Sequence, residues 1–213
     1  MNNGKTAYQF KPMKGLTFWA RLLMAGLTAG MFLWAAGVTV SMLSGPQASP
    51  VSLLLIVLGI VLYLPLIFAS AIVTLCWVYG ASRNAHVLRP GGLHSSPGWA
   101  VGWWFVPFAS LYKPYETIRD IWVASRGRIN DRYPPGPQII AVWWWMFLIS
   151  NIVLRFANGD TVGDSLVYAP TPGNWIFVVG LCICAIATLL FFRLVGEINK
   201  NQLASNTRAA DIF

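Results

Sequence analysis

Four apolar runs, each long enough to cross a bilayer, constrain this chain more than any other feature. They cover residues 22–43, 51–80, 138–156 and 175–194, and a helical span needs about 20 predominantly apolar residues. Hydrocarbon offers no partner to backbone N–H and C=O groups, so such runs must satisfy them internally, as helices. The sequence therefore predicts an all-α membrane protein, a single integral membrane domain over residues 1–213. The second run exceeds the minimum and contains Pro65, which predicts a tilt or a bend. The first is preceded by Lys5, Lys11, Lys14 and Arg21, but it outlasts the roughly 7–15 residues of a signal-peptide core. It is expected to remain as an anchor.

Composition excludes the soluble alternatives. Charged residues make up 10% of the 213 and hydrophobic ones 56%, with mean hydropathy +0.59; a soluble domain carries about 25% charge. So few charges cannot cover a water-facing surface, and so apolar a chain is not disordered. The 15 Lys and Arg against 7 Asp and Glu leave a net charge of +8. In a membrane protein, cytoplasmic loops obeying the positive-inside rule account for that excess, and no nucleic-acid partner is expected.

A fifth apolar stretch, residues 97–112 (PGWAVGWWFVPFASLY), is shorter and interrupted by Pro107. If it crossed, the 15 basic residues would divide 7 to 8 between the two sides, which is no bias. If it enters and returns, or lies flat in the interface, every Lys and Arg except Arg155 falls on one side, 14 to 1. The positive-inside rule selects the second arrangement. The expected fold is four transmembrane helices with both termini cytoplasmic. A short Trp-rich re-entrant or interfacial helix and an amphipathic helix, 114–125, lie on the cytoplasmic side. Ser96 suits an N-cap and Pro97 a first helical position, while Pro107 and Pro114 limit continuation. On the amphipathic helix Tyr115, Ile118, Ile121 and Trp122 fall on one face, Glu116, Arg119 and Asp120 on the other.

Several residues are candidates for function, each beside a plainer reading. Tryptophan is enriched, with 11 in the chain. Trp143, Trp144 and Trp145 read as an interfacial aromatic belt. Trp99, Trp103, Trp104, Pro107, Phe108, Tyr112, Tyr115 and Trp122 are candidates to line a lipid or ligand groove. Gly26 and Gly30 form a GxxxG pair suited to close helix packing within the chain or between copies. Asn151 lies inside the third span, where an amide usually bonds to a neighbouring helix. Arg83 is expected to pair with Glu116 or Asp120 and so fasten the short segment beneath the bundle; Arg119 belongs to the same charged set. His86 and His94 flank a turn, but eight residues apart they match no strong ligand spacing. Cys76, Cys182 and Cys184 make no CxxC motif. No metal, cofactor or catalytic constellation is expected.

The stretch from Ser96 to Trp122, SPGWAVGWWFVPFASLYKPYETIRDIW, resembles a family of small bacterial membrane proteins, the domain of unknown function 4328 family. The resemblance rests on Trp99, Gly102, Trp103 and Trp104, then Val106-Pro107-Phe108, then Lys113-Pro114-Tyr115 and Trp122, with Arg83-Asn84 upstream. Ser110 and Tyr112 depart mildly from its pattern. It implies a bacterial inner-membrane location and no particular activity. The favoured expectation is a non-enzymatic protein, an oligomeric bundle or accessory subunit of a larger complex with a pore or lipid-binding groove. Its partners would be membrane lipid and other copies. The alternative is a redox or lipid-modifying membrane enzyme using the cytoplasmic His/Arg rim. A small-molecule transporter is third, weakened by the lack of repeats and of acidic residues within the spans.

Overall fold

The computed structural model describes residues 8–44, 49–126, 137–157 and 175–210, and among them the chain is helical with no strand. The helices are α1 (Lys14–Leu43), α2 (Pro50–Leu88), α3 (Pro97–Gly102), α4 (Lys113–Arg126), α5 (Gln138–Ala157) and α6 (Trp175–Ala210). A 3-10 turn, Ala109–Leu111, lies between α3 and α4. Four of them, α1, α2, α5 and α6, are long and apolar enough to cross a membrane.

These helices outrun their apolar cores. The 39 residues of α2 extend about 58 Å at ~1.5 Å each, against a hydrocarbon thickness of about 30 Å. Beyond residue 80 the helix is sustained by packing: Ala81 and Ala85 are completely buried. Likewise α6 continues through Val195, Ile198 and Gln202, all buried, and α1 begins at Lys14. Pro65 lies inside an unbroken α2.

The chain divides into two compact units, and the division falls inside each of the four long helices. One comprises Leu22–Ala71 and Val142–Phe192. Its core is a helical stripe of α1, Leu27, Met31, Ala35 and Val38, clustered with Phe177, Leu181 and Ala185 of α6. Without a hydrophobic drive between helices in lipid, close contact must come from small residues, and α1 and α2 meet on glycine. A Cβ on Gly30 would stand 3.3 Å from Leu62 Cβ, on Gly37 2.7 Å from Ile56 N, and on Gly59 2.6 Å from Trp34 N. Trp34 then packs edge-on to Phe177 at 5.1 Å between centroids.

Gly26 likewise faces Leu66, so the GxxxG pair is occupied by this chain's own α2. Asn151 is exposed, and its amide donates to Phe147 O, four residues back, at 2.7 Å. The expected cross-helix bond is replaced by one to the same helix, where the i−4 carbonyl is nearest. The belt reading of Trp143–Trp145 also needs correction. Trp143 and Trp144 are buried, Trp143 stacked on Phe191 at 4.5 Å, and only Trp145 is exposed.

The other unit holds the chain up to Arg21, Ile72–Ala141 and the chain from Arg193 onward. It contains α3, α4 and nearly all the candidate residues.

Candidate functional site

The Trp-rich segment starts as its sequence suggests. Ser96 is extended (φ −65°, ψ 161°), its hydroxyl accepts from Trp99 N–H at 3.5 Å, and Pro97 is the first helical residue. The helix stops at Gly102, and six residues rise about 9 Å, far short of a bilayer. Turns follow, with Trp104 N–H donating to Val101 O and Phe105 N–H to Gly102 O.

At Pro107-Phe108-Ala109 the backbone reverses in an unusual way. Ala109 N–H donates to Pro107 O at 2.7 Å, and Phe108 between them has φ 62° and ψ −46°. That is a γ-turn of the strained, positive-φ kind. A non-glycine residue held there costs on the order of 1–3 kcal/mol. The side chain so presented is 84% exposed. Trp99, Phe105, Leu111 and Tyr112 are exposed beside it in the same segment, as is Pro107.

Next to this apolar edge sits a fixed cation. Trp99 and Trp103 lie 4.5 Å apart, and Trp103 Nε1–H donates to Ser95 Oγ at 3.0 Å. Lys113 Nζ lies 5.1 Å from the Tyr112 ring centre and 5.9 Å from that of Trp103. It donates to Glu116 Oε2 at 2.7 Å. That charge-assisted bond holds the Lys113 ammonium above the usual lysine range.

The inner face of α4 is core. Ile118, Ile121 and Ala124 are completely buried, and Trp122 nearly so with Arg126 over its ring at 4.9 Å. Trp122 therefore supports the segment and does not line a groove. Tyr115 is half-buried, with Arg119 over its ring at 5.9 Å, and Trp104 is half-buried too. The groove candidates thus separate into an exposed set (Trp99, Pro107, Phe108, Tyr112) and a supporting set (Trp103, Trp104, Tyr115, Trp122).

The expected pairing of Arg83 with Glu116 or Asp120 is not among the ion pairs of the described residues. Glu116 is taken by Lys113, one turn away on the same helix. Asp120, largely buried, is taken by His94 Nδ1 at 2.7 Å, with Arg119 at 3.8 Å. The loop after α2 is thus fastened to α4 by His94. Arg83 instead faces the rings of Tyr8 and Tyr79, 5.7 and 6.0 Å from their centres. His86 Nδ1–H donates to Ser82 O at 2.8 Å, so each histidine has its own local partner. No group of three metal-ligating side chains occurs among the described residues.

One polar network has no precedent in the sequence reading. Asn84, buried on α2, grips the backbone of Lys11 at both groups. Its Oδ1 accepts from Lys11 N–H at 3.0 Å and its Nδ2 donates to Lys11 O at 2.8 Å. The same Nδ2 donates to Gln202 Oε1 at 3.3 Å, and Gln202 Nε2 donates to Ala81 O at 2.9 Å. A non-helical strap before α1 is thereby clamped to α2 and α6. Ser205 Oγ donates to Ser125 O at 2.7 Å and ties α6 to α4.

A family described as Domain of unknown function (DUF4328) matches residues 40–200 of this chain. The chain belongs to that family. In this DUF4328 protein the matched region runs from the end of α1 into α6 and includes the Trp-rich segment, α4 and Asn84. The strap at Lys11 lies outside it, and Gln202 falls two residues past its end. No curated protein and no solved structure matches the chain.

Proposed function

We propose that this protein is a non-enzymatic, lipid-engaging membrane protein whose Trp-rich segment lies in the cytoplasmic leaflet without crossing it. Both termini are then cytoplasmic, in a bacterial inner membrane, and 14 of the 15 basic residues share that side. The observation that carries the reading is the γ-turn at Phe108: a strained backbone that presents an aromatic ring outward, flanked by exposed Phe105 and Leu111. Moving such a ring from water into lipid is worth roughly 1.5–3 kcal/mol, enough to offset the strain. Lys113 and Arg119 supply the basic rim that an interfacial element requires. The protein would serve as a bundle that self-associates or accompanies a larger membrane complex.

The test is depth. In a chain lacking Cys76, Cys182 and Cys184, a nitroxide at Phe108→Cys should collide more with oxygen, which concentrates in lipid, than with a water-soluble nickel chelate. Greater accessibility to the chelate would place the turn in water and end the reading. Reporter fusions after Arg132 and Phe213 should both signal cytoplasm.

A further inference from the structure

The strap held by Asn84 walls a cavity of about 440 Å³ whose lining includes Lys11, Met13, Leu16, Gly80, Arg83 and Asn84. Its charge is one-sided. Lys11 and Arg83 are the charged side chains of the lining among the described residues, and no carboxylate is among them. Lys113 and Arg119 each have a carboxylate within 4 Å, but Arg83 has none among the described residues. Its side chain is half-buried and lines the cavity, while its Nε is packed away from it. A half-buried guanidinium with no carboxylate beside it is stabilised when an anion enters and bonds to it. The Tyr8 and Tyr79 rings attract the guanidinium through their faces and leave its charge in place.

The walls are prepared for a ligand. The Asn84–Gln202 network fixes the Lys11 backbone, so the strap does not need to be ordered on binding. Apolar Pro12, Met13 and Leu16 form much of the remaining surface, with Gln9 and two glycines, Gly15 and Gly80. An arginine fork beside an apolar wall matches a phosphate carried on a hydrocarbon body.

We propose that this cavity is a phosphate site, and that its occupant is the headgroup of an anionic phospholipid gripped by Arg83 with Lys11 at the rim. The assignment to a lipid rests on the membrane reading above; the phosphate chemistry does not. It also differs from the Phe108 turn, whose proposed contact with lipid is led by apolar side chains.

The experiment uses the full chain, delipidated in detergent, and titrates three probes: phosphatidylglycerol, diacylglycerol without phosphate, and inorganic phosphate. Native mass spectrometry reads lipid adducts, and thermal shift reads phosphate. Phosphatidylglycerol is expected to bind more tightly than diacylglycerol and to lose about tenfold or more in Arg83→Gln, since a charged hydrogen bond is removed. Lys11→Gln should lose less, Arg83→Lys should recover part, and Arg208→Gln, which removes the same charge elsewhere, should behave as wild type. Protection of the Lys11 amide from exchange reports whether each variant keeps the clamp. If phosphate binds with the same Arg83 dependence while phosphatidylglycerol does no better than diacylglycerol, the lipid assignment is overturned and a soluble phosphate takes its place. Equal binding of every probe by wild type, Arg83→Gln and Lys11→Gln overturns the site itself. Neither result depends on the depth of Phe108, so the two proposals fail separately.

Discussion

Replacing Asn84 by alanine would remove the side chain that bonds both backbone groups of Lys11. Three hydrogen bonds go: 3.0 Å from Lys11 N–H, 2.8 Å to Lys11 O and 3.3 Å to Gln202 Oε1. Their losses are unequal. Lys11 is exposed, so water can replace Asn84 there, and each of those bonds costs about 0.5–1.5 kcal/mol net. Gln202 is 1% exposed, so its orphaned amide oxygen costs nearer the full desolvation penalty, about 1–3 kcal/mol. The sum is about 2–6 kcal/mol, concentrated on the strap. Hydrogen exchange at the Lys11 amide is the assay. In the regime where exchange follows local opening, that energy corresponds to roughly a 30- to 20,000-fold faster rate. A double change, Asn84→Leu with Gln202→Leu, should cost less than the two single changes together, because no buried polar atom is left alone. Lys11 exchange within threefold of wild type in Asn84→Ala, or strictly additive costs, would refute the reasoning.

Two other perturbations probe different parts of the molecule. Gly59→Ala should lower the thermal midpoint, at a cost of about 1–3 kcal/mol for overpacking, because the added methyl meets the Trp34 backbone at 2.6 Å. Gly15→Ala, with nothing within 4 Å, should be neutral or stabilising by about 0.5 kcal/mol. Glu116→Gln should return Lys113 towards its ordinary value of 10.5, followed by carbon NMR of the lysine Cε. Because the folded value is the raised one, the pair's contribution is complete below that ordinary value and fades as pH climbs through the raised one. Exposure keeps it small, and a Lys113 titration unchanged by the substitution would contradict the assignment.

What the sequence made legible follows from range. Hydropathy runs report a local property, so the four long helices were readable, and the Ser96-Pro97 start of α3 was readable for the same reason. The ends were harder. Polar residues after Gly80 look like a loop, yet α2 persists to Leu88 because Ala81 and Ala85 are packed on all sides. The Arg83 pairing failed because opposite charge names many partners and proximity selects one: Lys113 three residues from Glu116 was visible in the spacing, but His94 reaching Asp120 was not. Asn84 and Gln202 lie 118 positions apart, and neither belongs to a pattern that spacing can detect. Asn84 carried one hint, its place beside Arg83 in the family-like pair.

The γ-turn at Phe108 sets two demands on one position. Backbone geometry there favours glycine, whereas the 84% exposure of the ring is useful only if the surroundings are apolar. Selection for folding alone would replace the phenylalanine, and selection for membrane contact would retain it. Position 108 is thus where variants stabilised in detergent and variants competent in a bilayer should part company. A library sorted first for one property and then for the other would reveal which demand has governed this site.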